Sequence, residues 1–109
     1  MAEHLSILIA ARDEEVRIGS TIEALRTQFP DADVIVADDG SRDRTAATAE
    51  AAGARVLRLP RRGKGQALTL AERAASDGAL LLCDADLAVA AFAERQGGGL
   101  AWSSVRPQR

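Results

Sequence analysis

Three acidic segments of this sequence have the residue types and spacing that bind cations or donor-rich ligands. Residues 12–15 read RDEE, residues 38–39 are paired aspartates before a glycine, and residues 84–86 form an Asp-x-Asp pair. Two carboxylates separated by one residue at a strand end suit a hard divalent cation with oxygen ligands, such as Mg²⁺ or Mn²⁺. Taken alone, such a pair is more often an ordinary surface turn, so its interpretation depends on what lies beside it.

A basic loop supplies charge of the opposite sign. Residues 61–65 read RRGKG, with two glycines flanking Lys64 at the predicted start of a helix, where backbone N–H groups favour anions. The loop lacks the spacing of a Walker motif. By itself it fits a solvated surface loop, but beside an acidic edge it fits the binding of a diphosphate bridged by a metal ion.

The elements that must position these segments alternate between strand and helix. Apolar runs predict strands at residues 5–10, 33–37, 54–59 and 79–83, with amphipathic or alanine-rich helices between them. The second helix is expected to run over residues 43–52, with Asp43 as its N-cap. This α/β pattern of four mainly parallel strands is typical of a sheet covered by helices on both faces, whose ligands bind outside the carboxyl ends of the strands.

The acidic side chains are therefore expected to converge on one edge of the sheet. They are Asp13, Glu14, Asp38, Asp39, Asp84 and Asp86. Several like charges on one edge repel each other, so we expect a cation or a ligand rich in hydrogen-bond donors to neutralise them. Gly40 is expected to let the backbone turn tightly and approach that ligand.

Composition narrows the class of protein. The 109 residues carry a net charge of −2, which argues against a nucleic acid partner, and 47% of them are hydrophobic, which indicates a globular fold. Cys83 is the single cysteine, and its apolar neighbours indicate a packing role in a reducing compartment. No apolar stretch is long enough to predict a membrane span, and the N-terminus does not read as a signal peptide, so we expect a cytoplasmic protein.

Four segments together resemble the inverting, GT-A-fold glycosyltransferases of family two, most closely the branch that transfers glucose or mannose to polyprenyl (dolichyl) phosphate. Residues 8–15 (LIAARDEE) are similar to the opening strand and its Pro-Ala-x-Asn-Glu-Glu loop, and residues 36–45 (VADDGSRDRT) to Val-Asp-Asp-Gly-Ser-x-Asp-x-Thr. Residues 62–67 (RGKGQA) are similar to Arg-Gly-Lys-Gly-x-Ala, and residues 84–87 (DADL) to the Asp-x-Asp motif. The likeness covers most of the chain, in the family's order.

The resemblance implies a Rossmann-like nucleotide-binding half that binds a nucleoside-diphosphate sugar of the UDP-glucose or GDP-mannose class. Ala11 and Glu14 would line the nucleotide pocket. Asp39 would face the uracil or guanine base with Asp38 near it, and Lys64 would approach the nucleotide or its phosphates. The acceptor would be a polyprenyl phosphate or another molecule.

The resemblance also implies a metal-dependent reaction. Asp84 would contact ribose or sugar, and Asp86 would hold Mg²⁺ or Mn²⁺. The metal and the basic groups would stabilise the leaving nucleoside diphosphate. Two departures are mild, since Ala11 stands where the family usually has proline and Asp13 where it usually has asparagine.

The end of the chain departs more seriously from the family. The resemblance places the general base on a carboxylate well downstream of the Asp-x-Asp motif, on the acceptor side, and Glu94 is the only acid after Asp86. Residues 88–93 fit a short helix, residues 96–99 break it, and no fifth strand with a covering helix is evident. We therefore expect a nucleotide-sugar-binding half at residues 1–87 and an atypical tail containing glycine and arginine at residues 88–109. The catalytic base stays unassigned, and the chain is expected to be truncated, with weak or no turnover alone.

Other interpretations stay open at this point. A nucleotidyltransferase also combines a basic loop with acidic metal ligands, but it would have a glycine-rich loop after the first strand, where residues 12–15 are acidic. A non-catalytic receiver-like signalling domain has similar length and an acidic pair. In such domains the pair follows the first strand, whereas the paired aspartates of this sequence follow the second predicted strand. An open sheet edge favours self-association, and the full-length family predicts a location peripheral to the membrane.

Overall fold

A computed structural model of the chain describes residues 4–75, 78–85, 89–96 and 99–104, the last two ranges through their backbone only. The elements follow in chain order: β1 (Leu5–Ala11), α1 (Glu15–Gln28), β2 (Asp33–Asp39), α2 (Thr45–Ala51), β3 (Arg55–Leu59), α3 (Lys64–Ala74), β4 (Ala79–Asp84), β5 (Val89–Gln96) and β6 (Gly99–Ser104). Together the strands form one sheet in the order β3-β2-β1-β4-β5-β6. No helix in the described ranges is long and apolar enough to cross a membrane.

The predicted parallel α/β arrangement is confirmed for the first four strands. β1 pairs in parallel with β2 and with β4, and β2 pairs in parallel with β3. The chain first builds outward through β2 to β3 and then crosses back to place β4 on the other side of β1. That reversal makes a switch point between β1 and β4, where the loops leave in opposite directions and a cleft opens.

The two faces of the sheet are packed differently. One face buries branched side chains such as Ile7, Ile9 and Val36 against Ile18 and Ile22 of α1, and α2 adds Ala49 to this cluster. Burying each of these isoleucines contributes about 1.5–3 kcal/mol. α1 and α2 therefore form a large, firmly packed layer.

The opposite face is covered by α3. The helix presents Ala67 and Ala71, which are fully buried, to Leu8, Ile35 and Leu80 of the sheet. Alanines allow a close approach but bury little area each. The reversal of direction at the switch point explains why α3 lies on this face, because right-handed crossovers in opposite directions place their helices on opposite sides.

Two sequence predictions were wrong. Residues 88–93 do not form a helix, because residues 89–96 form β5, antiparallel to β4, and β6 follows antiparallel to β5. Gln96 pairs with Gly99, and the Gly-Gly dipeptide in this part of the sequence is a hairpin signal that outweighs the weak helical pattern of the alanines. The second helix begins at Thr45 rather than Asp43, with Arg44 in the cap position.

Candidate functional site

A cleft of about 330 Å³ opens at the switch point between β1 and β4. The carboxyl ends of these strands form its floor, the start of α1 forms one wall, and the basic loop forms the other. Its lining residues are Ala10, Ala11, Arg12, Glu14, Arg17, Asp39, Lys64, Asp84 and Ala85. The lining thus combines three carboxylates with three cationic side chains, which suits a polar, anionic ligand bound with a cation.

The loops that follow β1 and β2 are fastened to each other by hydrogen bonds, and we call residues 12–15 and 41–45 the loop clamp. The backbone N–H groups of Asp13 and Glu14 donate to the hydroxyl oxygens of Ser41 (2.9 Å) and Thr45 (2.8 Å). In return, the backbone N–H of Arg42 donates to Oδ1 of Asp13 at 2.8 Å. Because Thr45 is fully buried, the clamp is anchored in the core.

Asp13 has a backbone conformation that explains its residue type. Its φ is +53°, the left-handed region, which aspartate and asparagine tolerate better than other residues with a side chain. Both residue types also offer an oxygen that can accept the N–H of Arg42. The carboxylate of Asp13 therefore fastens loops, and Asp13 is not among the residues that line the cleft.

Asp43 lies between the first turns of two helices. Its Oδ1 accepts the backbone N–H of Thr45 at 2.9 Å, and its Oδ2 accepts that of Glu15 at 3.2 Å, the first residues of α2 and α1. The hydroxyl of Thr45 also donates to this carboxylate. Because that hydroxyl and then the backbone N–H groups stabilise the charged form, the pKa of Asp43 is lowered from its usual 3.8.

The paired aspartates at the end of β2 also have partners within the protein. Both Asp38 and Asp39 are only 6% exposed. Asp38 accepts the backbone N–H of Ser41 at 3.1 Å and so closes its own turn. Asp39 accepts the backbone N–H groups of Arg62 at 2.7 Å and of Gly63 at 3.0 Å, which ties the basic loop to the end of β2.

Gly40 approaches the basic loop closely. Its φ is +72°, and a Cβ atom there would lie 2.8 Å from the backbone nitrogen of Arg61. Glycine is required for two reasons. A residue with a side chain would be strained at this φ, and its Cβ would clash with the backbone of Arg61. Gly40 and Asp39 together therefore set the distance between β2 and the basic loop.

Lys64 and Asp84 face each other across the cleft. The Nζ of Lys64 lies 2.7 Å from Oδ1 of Asp84, and their side chains are 62% and 36% exposed. An ion pair this exposed contributes little to stability, about 0–1 kcal/mol. Both groups are consequently available to a ligand that offers each a better partner.

The structure therefore brings together five of the seven predicted ligand-binding positions. Ala11, Glu14, Asp39, Lys64 and Asp84 line the cleft. Asp38 lies behind it, beneath its own turn, and Asp86 lies outside the described residues. The binding roles of all seven stay predictions.

Several of the six acidic side chains that were expected to converge on this edge of the sheet have partners within the chain. Three of the six, Glu14, Asp39 and Asp84, line the cleft. Asp13, Asp38 and Asp39 accept backbone N–H groups, and Asp84 pairs with Lys64, so each of these charges has a partner within the chain. In the ranges for which side chains are described, no three acidic, histidine or cysteine residues are grouped to hold a metal ion alone. Asp13, Asp38 and Asp39 therefore position loops.

Sequence reasoning missed two arginines and the hydroxyls of the clamp. Arg12 and Arg17 line the cleft, Arg17 from the first turn of α1. Arg17 follows Glu14 by three residues, a spacing that places both side chains on one side of the start of the helix. This spacing could have identified Arg17 from the sequence. Ser41 and Thr45 could not be recognised, because their partners lie 28 and 31 residues away in the chain.

The fold and the cleft define an α/β protein of Rossmann-like architecture, with its polar cleft at the switch point of a parallel sheet. Sequence comparison identifies the family: the model described as "Glycosyl transferase family 2" matches residues 6–91. The chain belongs to glycosyl transferase family 2. Neither the nucleotidyltransferase nor the receiver-like interpretation is favoured by these findings.

Individual relatives agree with this assignment. A 4,4'-diaponeurosporenoate glycosyltransferase from Staphylococcus aureus (strain MRSA252) is 47% identical over 53 residues, which are 49% of this chain and 14% of the relative. The crystal structure of Mycobacterium tuberculosis glucosyl-3-phosphoglycerate synthase is 32% identical, with a TM-score of 0.65 over 80% of this chain and 36% of that chain. This chain thus spans about a third of the synthase and a seventh of the curated relative.

Solved complexes of the synthase show what that protein binds. One contains Mn²⁺, UDP and glucosyl-3-phosphoglycerate, with 32% identity and a TM-score of 0.64 over 77% of this chain and 34% of that chain. Another contains Mg²⁺ and UDP. Each of these two complexes therefore contains a nucleoside diphosphate together with a divalent cation.

Proposed function

We propose that the cleft binds the nucleoside diphosphate of a nucleotide sugar together with Mg²⁺ or Mn²⁺, as part of an inverting glycosyltransferase. The observation that carries the proposal is the meeting of Glu14, Asp39, Lys64 and Asp84 at the β1–β4 switch point. Family membership and the UDP complexes of the synthase support it. UDP-sugars are the first candidates, with GDP-mannose as the other.

The protein's own side chains have separate roles in this proposal. Asp39 holds the basic loop and keeps acceptor capacity for a base N–H, because each carboxylate oxygen can accept more than one hydrogen bond. Ala11 and Glu14 form the wall beside the base and ribose, with Asp38 supporting the turn behind them. Lys64 would leave Asp84 for a phosphate oxygen and stabilise the negative charge that develops on the leaving diphosphate.

The donor set fits a divalent cation that is shared with the ligand. Asp84 presents a partly exposed carboxylate at the end of β4, and the Asp-x-Asp motif places Asp86 two residues further along the chain. Mg²⁺ and Mn²⁺ are typically held by one or two carboxylates plus substrate phosphates rather than by a full protein cage. In this proposal Asp86 is the metal ligand, Asp84 contacts ribose or sugar, and the bound cation neutralises the diphosphate.

The remaining proposals concern the whole protein. We propose residues 1–87 as the nucleotide-sugar-binding unit and a polyprenyl phosphate or another small molecule as the acceptor. The general base is unassigned among the described residues. The outer edge of the sheet is proposed as a surface for self-association.

Calorimetric titration tests the binding proposal directly. UDP, UDP-glucose and GDP-mannose are each titrated into the protein with Mn²⁺ and again with a chelator. We expect one nucleotide class to bind, and to bind more tightly with Mn²⁺ than with the chelator. Asp86→Ala in Mn²⁺ should bind only as weakly as the wild type does in the chelator. Asp31→Ala serves as the matched control, because Asp31 is exposed and lines a different pocket that includes His4 and Pro30. If no nucleotide binds, or if Asp86→Ala binds as the wild type does in Mn²⁺, the proposal is wrong.

A further inference from the structure

Thr21 is a buried polar residue on α1 that the cleft itself does not use. It is 3% exposed and lies among Ile18, Ile22 and Leu25, the apolar residues that pack α1 against the sheet. Valine has nearly the same shape and would avoid burying a hydroxyl in that layer. Because a buried hydroxyl costs free energy unless it is hydrogen-bonded, the hydroxyl of Thr21 needs a partner.

That partner is the backbone carbonyl of Ala85, 64 residues further along the chain. Other hydroxyls on α1 behave differently: Ser20 donates to the carbonyl of Arg17, and Thr27 donates to that of Glu23. Donation to a carbonyl of the same helix is the usual arrangement for helical serine and threonine. Thr21 instead connects its helix to a separate segment.

Ala85 is the central residue of the Asp-x-Asp motif. It is 7% exposed and follows Asp84, which forms the last pair of the β1–β4 ladder with Ala10. Its carbonyl belongs to the peptide unit that joins it to Asp86, and a peptide unit is planar. A hydrogen bond to that oxygen consequently restrains the backbone at Ala85, one residue beyond the end of the ladder.

We propose that Thr21 is a positioning residue that holds the backbone of the Asp-x-Asp motif at Ala85 for metal-assisted nucleotide binding. The inference rests on the proposed function, since it assigns Thr21 to the same site. The hydroxyl offsets the cost of burying the Ala85 carbonyl and fixes the direction of the backbone at Ala85. Groups that orient metal ligands in this way typically change metal affinity by roughly 10–100-fold when they are removed.

The test compares Thr21→Val with Thr21→Ser by titrating UDP at a series of Mn²⁺ concentrations and again with a chelator. Thr21→Val should need roughly 10-fold more Mn²⁺ for the same UDP affinity, while its UDP affinity without metal stays that of the wild type. Thr21→Ser keeps the hydroxyl and should restore the wild-type Mn²⁺ dependence. Thr27→Val is the control for the same exchange on the same helix.

A second measurement needs no metal. The carbonyl ¹³C chemical shift of Ala85 should move in Thr21→Val and stay in place in Thr21→Ser, because only the valine removes the donor. If Thr21→Val does not fold, Thr21→Ala replaces it in both measurements, since alanine and serine each lack the methyl group and differ only in the hydroxyl.

The outcomes separate this inference from the proposed function. A wild-type protein that binds neither UDP nor GDP with Mn²⁺ overturns both. A wild-type protein that binds UDP while Thr21→Val shows an unchanged Mn²⁺ dependence overturns only the role of Thr21. Equal weakening of UDP binding with and without Mn²⁺ also overturns that role, because it would show a general structural defect.

Discussion

The two loops that border the cleft are held in opposite ways. The loop clamp is fastened by hydrogen bonds within the protein, anchored on the fully buried Thr45. The basic loop is tied to the fold through Asp39, but one of its cationic side chains, Lys64, forms only an exposed ion pair with Asp84. The wall formed by the loop clamp is therefore preorganised, whereas the wall formed by the basic loop has a charged side chain that is available to bind a ligand. Variants on the two walls should separate stability from binding.

Removal of the Asp39 carboxylate should have the largest effect. Asp39→Ala leaves the N–H groups of Arg62 and Gly63 without their acceptor, so the free energy of unfolding should fall by about 3 kcal/mol, and UDP binding should be lost with the basic loop released. Urea denaturation and calorimetry measure the two effects.

Two variants serve as controls for Asp39→Ala. Asp39→Asn, which keeps one acceptor oxygen, should have a smaller effect. Asp33→Ala, at the other end of β2, should leave UDP binding intact. Equal loss of UDP binding in Asp33→Ala and Asp39→Ala would contradict this account.

The loop clamp should affect stability more than binding. Thr45→Val keeps the shape of a buried side chain but removes the oxygen that accepts the N–H of Glu14, so we expect a loss of about 2 kcal/mol in the free energy of unfolding. Thr69→Val is the control, because the hydroxyl of Thr69 is exposed and donates only to Gly65 of its own helix. A Thr45→Val protein as stable as the control would show that the clamp does not stabilise the fold.

The basic loop should show the reverse behaviour. Lys64→Met should change the free energy of unfolding by less than about 1 kcal/mol, because its ion pair is exposed, but should weaken UDP binding roughly 10-fold, or about 1.4 kcal/mol. Arg73→Met, on the exposed side of the same helix, should change neither quantity. If Lys64→Met lost stability but kept its affinity for UDP, the basic loop would stabilise the fold rather than bind the nucleotide, which would contradict this account.

Acid should loosen the clamp by a smaller amount. Since the folded state lowers the pKa of Asp43, its stabilising contribution is complete above the unfolded value of about 3.8 and is lost as pH falls below it through the folded pKa. Urea denaturation across this pH range should show the wild type losing more stability than Asp43→Asn. Parallel pH profiles for the two proteins would exclude this role for the carboxylate.

Sequence patterns predicted the layers of the fold better than they predicted the roles of polar residues. Strands β1 to β4 and the cleft at their carboxyl ends follow from apolar runs and loop charges, which are local features. The antiparallel strands β5 and β6 were missed because alanine-rich residues 88–93 carry little strand signal and residues 96–99 were interpreted as the end of a helix. The partners of Asp13, Asp39 and Thr21 were missed because each lies at least 23 residues away.

Paramagnetic broadening by Mn²⁺ gives the most direct test of the central claim, that nucleotide and metal bind together at the β1–β4 switch point. Backbone amide spectra are recorded with UDP and with substoichiometric Mn²⁺ added last. We predict the strongest broadening at Asp84 and Ala85, weaker broadening at Ala11 and Arg12, and none at Leu5 at the opposite end of β1. Broadening that is equal without UDP, or that centres on the Leu5 end of the sheet, would contradict the account.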